Sequence, residues 1–163
     1  MPRRRAAGVV AVLVTLALVV LGGLWFRSAR SADALGVERP ILIREPGSTV
    51  YTAPTGILFD VDSAVLTASA IPSLRGIVAD ITRAGLDGTV QVEGYTDDVG
   101  PDGYNLALSD ARAQAVADWL VRYGHLDESR IQVVGLGEGY PVAPNDTDEH
   151  RRVNRRVVIA VQR

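Results

Sequence analysis

A strand, loop and helix pattern between residues 89 and 123 constrains the fold of this chain most. Residues 89–95 alternate apolar and polar side chains, as a strand with one buried face does. Two glycines and a proline then occupy three of the four positions 100–103, which predicts a turn. Helical periodicity follows over residues 105–123. The pattern therefore predicts a loop between a strand end and a helix start, and a small cleft where the two meet.

Polar side chains of both signs fall on this junction. Asn105, Ser109 and Arg112 are spaced i, i+4 and i+7, so they share one face of the helix. Asp97 follows the carboxyl end of the strand. An acid from the loop and a base from the helix can thus line one cleft. Such a pair suits a ligand that carries both an ammonium and a carboxylate group.

The N-terminus has the pattern of a membrane segment. Three arginines at positions 3–5 precede residues 6–26, which contain no charged side chain. The 19 residues of 8–26 span roughly 28 Å as a helix, enough for the hydrocarbon core of a bilayer. We interpret residues 1–27 as a cytoplasmic basic start and an uncleaved transmembrane signal-anchor helix, with everything after it outside the cytoplasm. A cleaved signal peptide is the alternative.

The remainder divides into a linker and one domain. Residues 28–54 contain three prolines and no sustained period, which indicates a linker. Residues 55–163 are predicted to form an α+β domain of order β-α-β-α-β-β, with one mixed sheet and two main helices. The predicted strands cover residues 56–60, 89–95, 130–135 and 154–161. The two main helices are predicted from Ser69 or Ser73 to Ala84 and from Asn105 to Tyr123. A short helical turn, capped by Thr147, is predicted to end at Arg152. The expected buried stripe of the second helix is Leu108, Ala111, Ala115, Val116, Trp119, Leu120 and Tyr123.

Composition excludes several functional classes. The chain has no cysteine, so disulfides, thiol catalysis, thiolate zinc sites and a lipidated cysteine are ruled out. Five of the 17 basic residues, all arginine, lie in the first 30 residues, where there is no acid. The remaining 12 arginines face 19 acidic residues, a net charge of −7. An acidic domain argues against nucleic-acid binding, which needs a basic surface.

Two separated blocks resemble the signature of the OmpA-like peptidoglycan-binding domain, the OmpA/MotB C-terminal family. The first block is Val92–Asp97, Gly100, Tyr104–Asn105, Leu108–Ser109 and Arg112–Ala113. The second block is Arg130–Ile131, Gly135–Glu138, Pro141–Ala143, Asn145, Arg151 and Asn154–Val157. The resemblance covers roughly residues 55 to 162 with the spacing intact. Two positions depart from the family pattern: Tyr95 stands where histidine is common, and His150 where glycine is common.

The resemblance implies non-covalent binding of bacterial peptidoglycan through the diaminopimelate of the stem peptide. In the family, the aspartate matching Asp97 and the arginine matching Arg112 hold this residue. An aspartate accepts hydrogen bonds from the ammonium, and a guanidinium offers two parallel donors to the carboxylate. The second block adds Arg155 or Arg156 to the expected site, and the sequence does not indicate which of the two faces the cleft. The expected peptidoglycan-binding residues are Asp97, Arg112, Asn105, Thr96, Arg155 and Arg156.

Simpler interpretations of these residues stay open at this point. Asp97 can serve only to cap its loop, and Arg112 only to pair with Asp98 or Asp110 at the surface. Ser109 fits a structural hydroxyl better than a ligand contact. Asp60 and Asp62 have the opening spacing of a calcium loop, but its later ligands and glycine are absent. No metal site is therefore expected.

We expect a tether that holds the cytoplasmic membrane, or a membrane complex, to the cell wall. The domain would lie in the periplasm or cell-wall space. No enzymatic activity, cofactor or nucleic-acid partner is expected. The membrane run contains Gly22–Gly23, which leaves room for helix pairing, so a homodimer and an unknown membrane partner both stay open. The alternatives are a protein-interaction module with the same fold and a stator-like ion channel, although residues 6–26 lack the ionisable group that proton passage requires.

Overall fold

The computed structural model of the chain describes residues 47–163. The predicted transmembrane segment, 1–27, and most of the predicted linker lie outside the described residues. Within residues 47–163, no helix is long and apolar enough to cross a membrane.

Four strands and four α-helices follow one another along the described part of the chain. In order, these are β1 (Thr49–Pro54), α1 (Thr55–Leu58), α2 (Ala70–Arg83), β2 (Val90–Gly94), α3 (Asp102–Arg122), β3 (Ile131–Gly135), α4 (Asp148–Asn154) and β4 (Arg156–Val161). A 3₁₀ turn, Glu128–Arg130, precedes β3.

The four strands form one mixed sheet in the order β1-β4-β2-β3. β4 runs antiparallel to both of its neighbours, β1 and β2. β2 and β3 are parallel, and α3 makes the crossover that a parallel pair requires. The structure confirms the predicted α+β fold with one mixed sheet and two main helices, α2 and α3.

The predicted first strand, residues 56–60, is wrong. Thr55–Leu58 is a short helix, and the strand is Thr49–Pro54, inside the segment interpreted as linker. The short apolar run at 57–59 carries no periodicity that separates a strand from a buried helical turn. Leu58 is buried and Ile57 exposed, which is the outcome for a turn with one inward face. β1 is an edge strand and ends at Pro54, where a proline is tolerated.

The core lies between the sheet and helices α2 and α3. From α2, the predicted inward residues Leu74 and Ile81 are buried, and Ile77 and Val78 pack against them. The alternate residues Val157, Ile159 and Val161 of β4 face the same core, as predicted.

The buried face of α3 differs from the predicted stripe. Ala111 and Tyr123 are exposed, and Leu108 and Ala115 are half-buried. The buried residues are Asn105, Ser109, Arg112, Ala113, Val116, Ala117, Trp119 and Leu120. Thus the polar face expected to border a cleft is continuous with the core face. The prediction placed the buried stripe by apolar residues alone, and it was misplaced because this helix also buries three polar side chains.

Two glycines let α3 lie directly against the carboxyl ends of β2 and β3. A Cβ built at Gly94 would lie 2.0 Å from the Ser109 carbonyl oxygen, and one at Gly135 would lie 2.5 Å from the Asp110 amide nitrogen. Only residues without a Cβ allow this approach. It brings the polar face of α3 to the ends of these strands.

Candidate binding cleft

A cleft of about 440 Å³ opens where β2 ends and α3 begins. Three segments and one arginine form its walls: the loop after β2, the first half of α3, the loop after α1, and Arg155. Its lining residues are Thr55, Gly56, Phe59, Asp60, Val61, Asp62, Thr96, Asp97, Val99, Tyr104, Asn105, Leu108, Arg112 and Arg155. Five of the six predicted site residues are therefore brought together, and the sixth, Arg156, is not.

Asp97 is 6% exposed and forms part of the cleft wall. One of its carboxylate oxygens, Oδ1, accepts a hydrogen bond from the Val99 amide at 3.2 Å. The other, Oδ2, is ion-paired with the Arg155 guanidinium, whose side chain is 38% exposed. Asp97 therefore does cap its own loop, and it also faces the cleft.

Arg112 is 5% exposed and crosses the cleft floor from α3. Its Nε donates to the Ser63 carbonyl at 2.8 Å, and its guanidinium carbon lies 5.5 Å from the centre of the Phe59 ring. Within residues 47–163, neither terminal nitrogen of Arg112 has a hydrogen-bond partner. The surface alternative is wrong, because Arg112 contacts neither Asp98 nor Asp110 through a hydrogen bond. Asp98 instead accepts from Arg151 at 3.1 Å.

The electrostatics of Arg112 reflect its burial. Loss of hydration, together with the nearby charge of Arg155, lowers the pKa of its guanidinium, and the negative charges of Asp62 and Asp97 oppose that effect. An arginine keeps its proton at neutral pH even so. The cleft thus contains a buried cation with two unused donor groups, and such a cation is stabilised by an anion that enters the site.

Asn105 and Thr96 support the loop that carries Asp97. The Asn105 amide donates to the Glu138 carboxylate at 2.7 Å and to the Asp97 carbonyl at 3.3 Å. The Thr96 amide donates to the Gly137 carbonyl at 2.9 Å. The Thr96 hydroxyl, in a residue 4% exposed, has no partner within the described part of the chain. Its position in the cleft wall makes it a candidate donor to a ligand.

Arg156 lies away from the cleft. Its guanidinium stacks over the Tyr95 ring at 3.6 Å and donates to the carbonyls of Asn154 and Tyr140, each at 3.2 Å. Arg155 directly precedes β4 in an extended conformation and Arg156 is the first residue of β4, so their consecutive side chains point to opposite sides. Arg155 is therefore the arginine that faces the cleft, a choice that sequence left open.

Helix α4 and the residue after it hold the loop that carries Asp97 and Asp98. Thr147 caps the helix as predicted, accepting from the His150 amide at 3.2 Å. Arg151, within α4, reaches Asp98, and Arg155, directly after its last residue, reaches Asp97. Two arginines four residues apart thus bind two adjacent aspartates.

Ser109 has a structural role, as expected. It is fully buried, and its hydroxyl donates to the Leu106 carbonyl at 2.8 Å and accepts from the Gly137 amide at 2.9 Å. The bond from Gly137 joins α3 to the loop after β3.

Sequence reasoning missed the wall opposite Asp97. The loop after α1 supplies Phe59, Asp60, Val61 and Asp62 to the cleft. Tyr104 donates its hydroxyl to the Asp62 carboxylate, and this hydrogen bond raises the pKa of Tyr104. The two partners are 42 residues apart, and no local pattern indicates that they meet.

Comparison with known proteins shows which family this chain is similar to. Residues 58–155 match the model of the OmpA family. The chain is 39% identical over 106 residues to outer membrane porin F of Pseudomonas aeruginosa, covering 65% of this chain and 30% of the porin. It is 45% identical over 97 residues to the peptidoglycan-binding protein ArfA of Mycobacterium tuberculosis, covering 58% of this chain and 29% of ArfA.

Among solved structures, the cell wall anchor of the T6SS from Pseudomonas aeruginosa is similar with a TM-score of 0.63 and 35% identity, covering 70% of this chain and 80% of that one. The chain spans less than a third of the length of the porin and of ArfA. The family model covers more than half of the chain. This chain belongs to the OmpA family.

Proposed function

We propose that the domain binds peptidoglycan non-covalently, through the diaminopimelate residue of a stem peptide. The observation that carries the proposal is Arg112, a buried guanidinium whose two terminal nitrogens have no hydrogen-bond partner within residues 47–163 and which lines the same cleft as Asp97. The similarity to a protein named as peptidoglycan-binding supports it.

Diaminopimelate offers a free end with an α-carboxylate and an α-ammonium. The carboxylate would accept two hydrogen bonds from the terminal nitrogens of Arg112, a geometry that guanidinium and carboxylate planes match. The ammonium would donate to Asp97. A carboxylate has about four lone-pair positions, and within the described residues Asp97 uses two of them, for Val99 and Arg155. Room for an ammonium therefore remains without breaking either contact.

The proposal includes no covalent step. An acid–base pair such as a glycosidase uses requires two carboxyl groups facing one bond. Asp97 and Asp62 both line the cleft, but Asp97 is paired with Arg155 and Asp62 accepts a hydrogen bond from Tyr104. Asp98 is paired with Arg151 on the α4 side. This arrangement suits a binding site, and it supports our proposal that the protein is not an enzyme.

We further propose that the chain is a membrane-anchored tether. Residues 6–26 would cross the cytoplasmic membrane, with the domain in the periplasm or cell-wall space. A wall-binding domain joined to a membrane segment holds the two layers close together. The apolar run and the three arginines before it support this topology.

A sacculus-binding experiment tests the proposed ligand. The full chain, purified in a mild detergent, is incubated with sacculi that contain diaminopimelate and with sacculi that contain lysine at the same position. Lysine lacks the second α-carboxylate and thus the group that Arg112 would hold. We expect the chain to sediment with diaminopimelate-type wall and to bind lysine-type wall much more weakly.

Two matched variants complete this experiment. Asp97→Asn keeps the side-chain shape and the acceptor for Val99 but removes the charge, so it should lose most binding. Asp118→Asn makes the same change on the exposed side of α3, outside the cleft, and should bind as the parent does. Equal binding to both walls would refute the diaminopimelate assignment, and undiminished binding by Asp97→Asn would refute the site.

A further inference from the structure

The loop over residues 59–66, which forms the cleft wall opposite Asp97, is attached to the fold at two levels. At its base, Phe59 and Leu66 form an antiparallel bridge. At its tip, two side chains of α3 reach across: Tyr104 donates to the Asp62 carboxylate, and Arg112 donates through Nε to the Ser63 carbonyl at 2.8 Å. The tip residues that accept these two bonds are adjacent in sequence.

The backbone of the tip forms a short hydrogen-bonded turn. Asp62 has a φ of 58°, in the left-handed region that aspartate tolerates better than most residues. The Ser63 amide donates to the Asp60 carbonyl at 3.3 Å, and the Val65 amide to the Ser63 hydroxyl at 3.0 Å. The direction of the Ser63 carbonyl therefore depends on the conformation of this short turn.

We propose that Tyr104 and Asp62 are positioning residues for Arg112. Their hydrogen bond holds the turn so that the Ser63 carbonyl receives Nε–H, and this bond sets the rotation of the planar guanidinium. Both terminal nitrogens then point into the cleft. The inference rests on the proposed function in one respect: a ligand carboxylate is taken to bind those nitrogens.

The energetic setting favours an effect on binding over an effect on folding. Tyr104 is 45% exposed, so its hydrogen bond contributes little to stability in water. Arg112 is buried, and the orientation of its donors decides whether two parallel hydrogen bonds form or only one. Removing the exposed Tyr104–Asp62 hydrogen bond should therefore change stability little, while the altered orientation of Arg112 weakens ligand binding more strongly.

The test uses the full chain in mild detergent with Tyr104→Phe, Asp62→Gly and the double variant. Glycine at position 62 removes the carboxylate and tolerates the left-handed backbone. Tyr123→Phe, at an exposed tyrosine after the end of the same helix, is the matched control. Affinity for a soluble disaccharide–tripeptide muropeptide that ends in diaminopimelate is measured by calorimetry, together with the thermal midpoint. Nitrogen-15 spectra of arginine Nε groups, assigned with Arg112→Met, report the bond to Ser63.

We expect Tyr104→Phe to weaken muropeptide binding about three- to tenfold with an almost unchanged thermal midpoint. The Arg112 Nε–H signal should shift and exchange faster with solvent. The double variant should lose no more than the stronger single variant, since both residues act through one bond. Tyr123→Phe should match the parent in every measurement.

Two results would overturn the proposal: parent-like muropeptide affinity in Tyr104→Phe, or an unchanged Arg112 Nε–H signal in that variant. If the parent chain itself fails to bind the muropeptide, the proposed ligand is wrong. The positioning role is then decided by the Nε–H signal alone, because that signal is present without ligand.

Discussion

Replacing Arg112 with methionine should separate binding from folding. Methionine follows the unbranched stem of arginine and removes the charged head. In the proposed complex, the parent forms two charge-assisted hydrogen bonds between the terminal nitrogens of Arg112 and the ligand carboxylate. At about 1.5 kcal/mol each, their loss amounts to about 3 kcal/mol, or roughly a hundredfold in the dissociation constant.

The effect of Arg112→Met on stability should be much smaller, because two contributions oppose each other. The variant loses the Nε bond to the Ser63 carbonyl, about 1 kcal/mol, and the contact of the guanidinium with the Phe59 ring, about 0.5–1 kcal/mol. It also removes the cost of burying a charge, the same cost that lowers the pKa of Arg112. We expect the free energy of unfolding to stay within about 1.5 kcal/mol of the parent value.

Calorimetric titration with the diaminopimelate muropeptide and urea unfolding of the full chain check these two expectations. Arg122→Met, the same change at the exposed last residue of α3, is the control and should leave muropeptide binding unaltered. A loss of more than about 3 kcal/mol of stability would show that Arg112 is chiefly a structural residue. Muropeptide binding within threefold of the parent would refute its role as the carboxylate-binding group.

Three further changes test other parts of the structure. Thr96→Val removes a buried hydroxyl that has no partner within residues 47–163, so it should raise the free energy of unfolding by about 1 kcal/mol and weaken muropeptide binding about fivefold. Gly94→Ala places a Cβ 2.0 Å from the Ser109 carbonyl oxygen and should cost about 3 kcal/mol of stability, measured by urea unfolding. Asp127→Asn should flatten the acid limb of the stability curve. Hydrogen bonds from the Ser129 hydroxyl and amide lower the pKa of Asp127 below 3.8, so its contribution is present above that value and is lost as the pH falls through the lower folded-state pKa.

For each of these three predictions, one result would contradict the reasoning. A destabilised Thr96→Val would mean that the hydroxyl is satisfied in solution. A Gly94→Ala variant as stable as the parent would mean that α3 can move away from β2 at no cost. For Asp127, an unchanged slope between about pH 5 and pH 2 in the variant would show that its bonds to Ser129 do not persist in solution.

Local patterns predicted the α+β class, the mixed sheet and the two long helices with small errors at their ends. β2 carries clear alternation, residues 157–161 of β4 form a continuous apolar run between Arg156 and Gln162, and α2 has a clear apolar stripe, so a local signal sufficed for each element. The run at 57–59 failed because three apolar residues satisfy a strand and a buried turn equally well. The stripe of α3 failed because Asn105, Ser109 and Arg112 are buried, against the usual rule for polar side chains.

The candidate site shows the same division. Asp97, Asn105 and Arg112 were predictable from spacing, since a strand end and a helix start separated by a short loop must lie side by side. The loop 59–66 was not, because its contacts with Tyr104 and Arg112 join residues more than 40 positions apart. Spacing likewise could not select between Arg155 and Arg156, since the choice depends on which face of β4 turns toward the cleft.

By itself, the amino-acid sequence determined the elements whose signals are local. These signals are the alternation in β2 and the apolar run in β4, the turn residues before α3, the Thr147 cap and the glycines that permit close packing. It also determined which chemical groups the cleft can contain. The tertiary structure decided how those groups are used. It buried Arg112, whose two terminal nitrogens have no partner within residues 47–163, and it paired Asp97 with Arg155. It also stacked Arg156 on Tyr95 and added the loop 59–66 as a second wall of the cleft. These outcomes arise from contacts between segments that are distant in the sequence. The energies of such contacts depend on how the whole domain packs and not on the residues next to them along the chain.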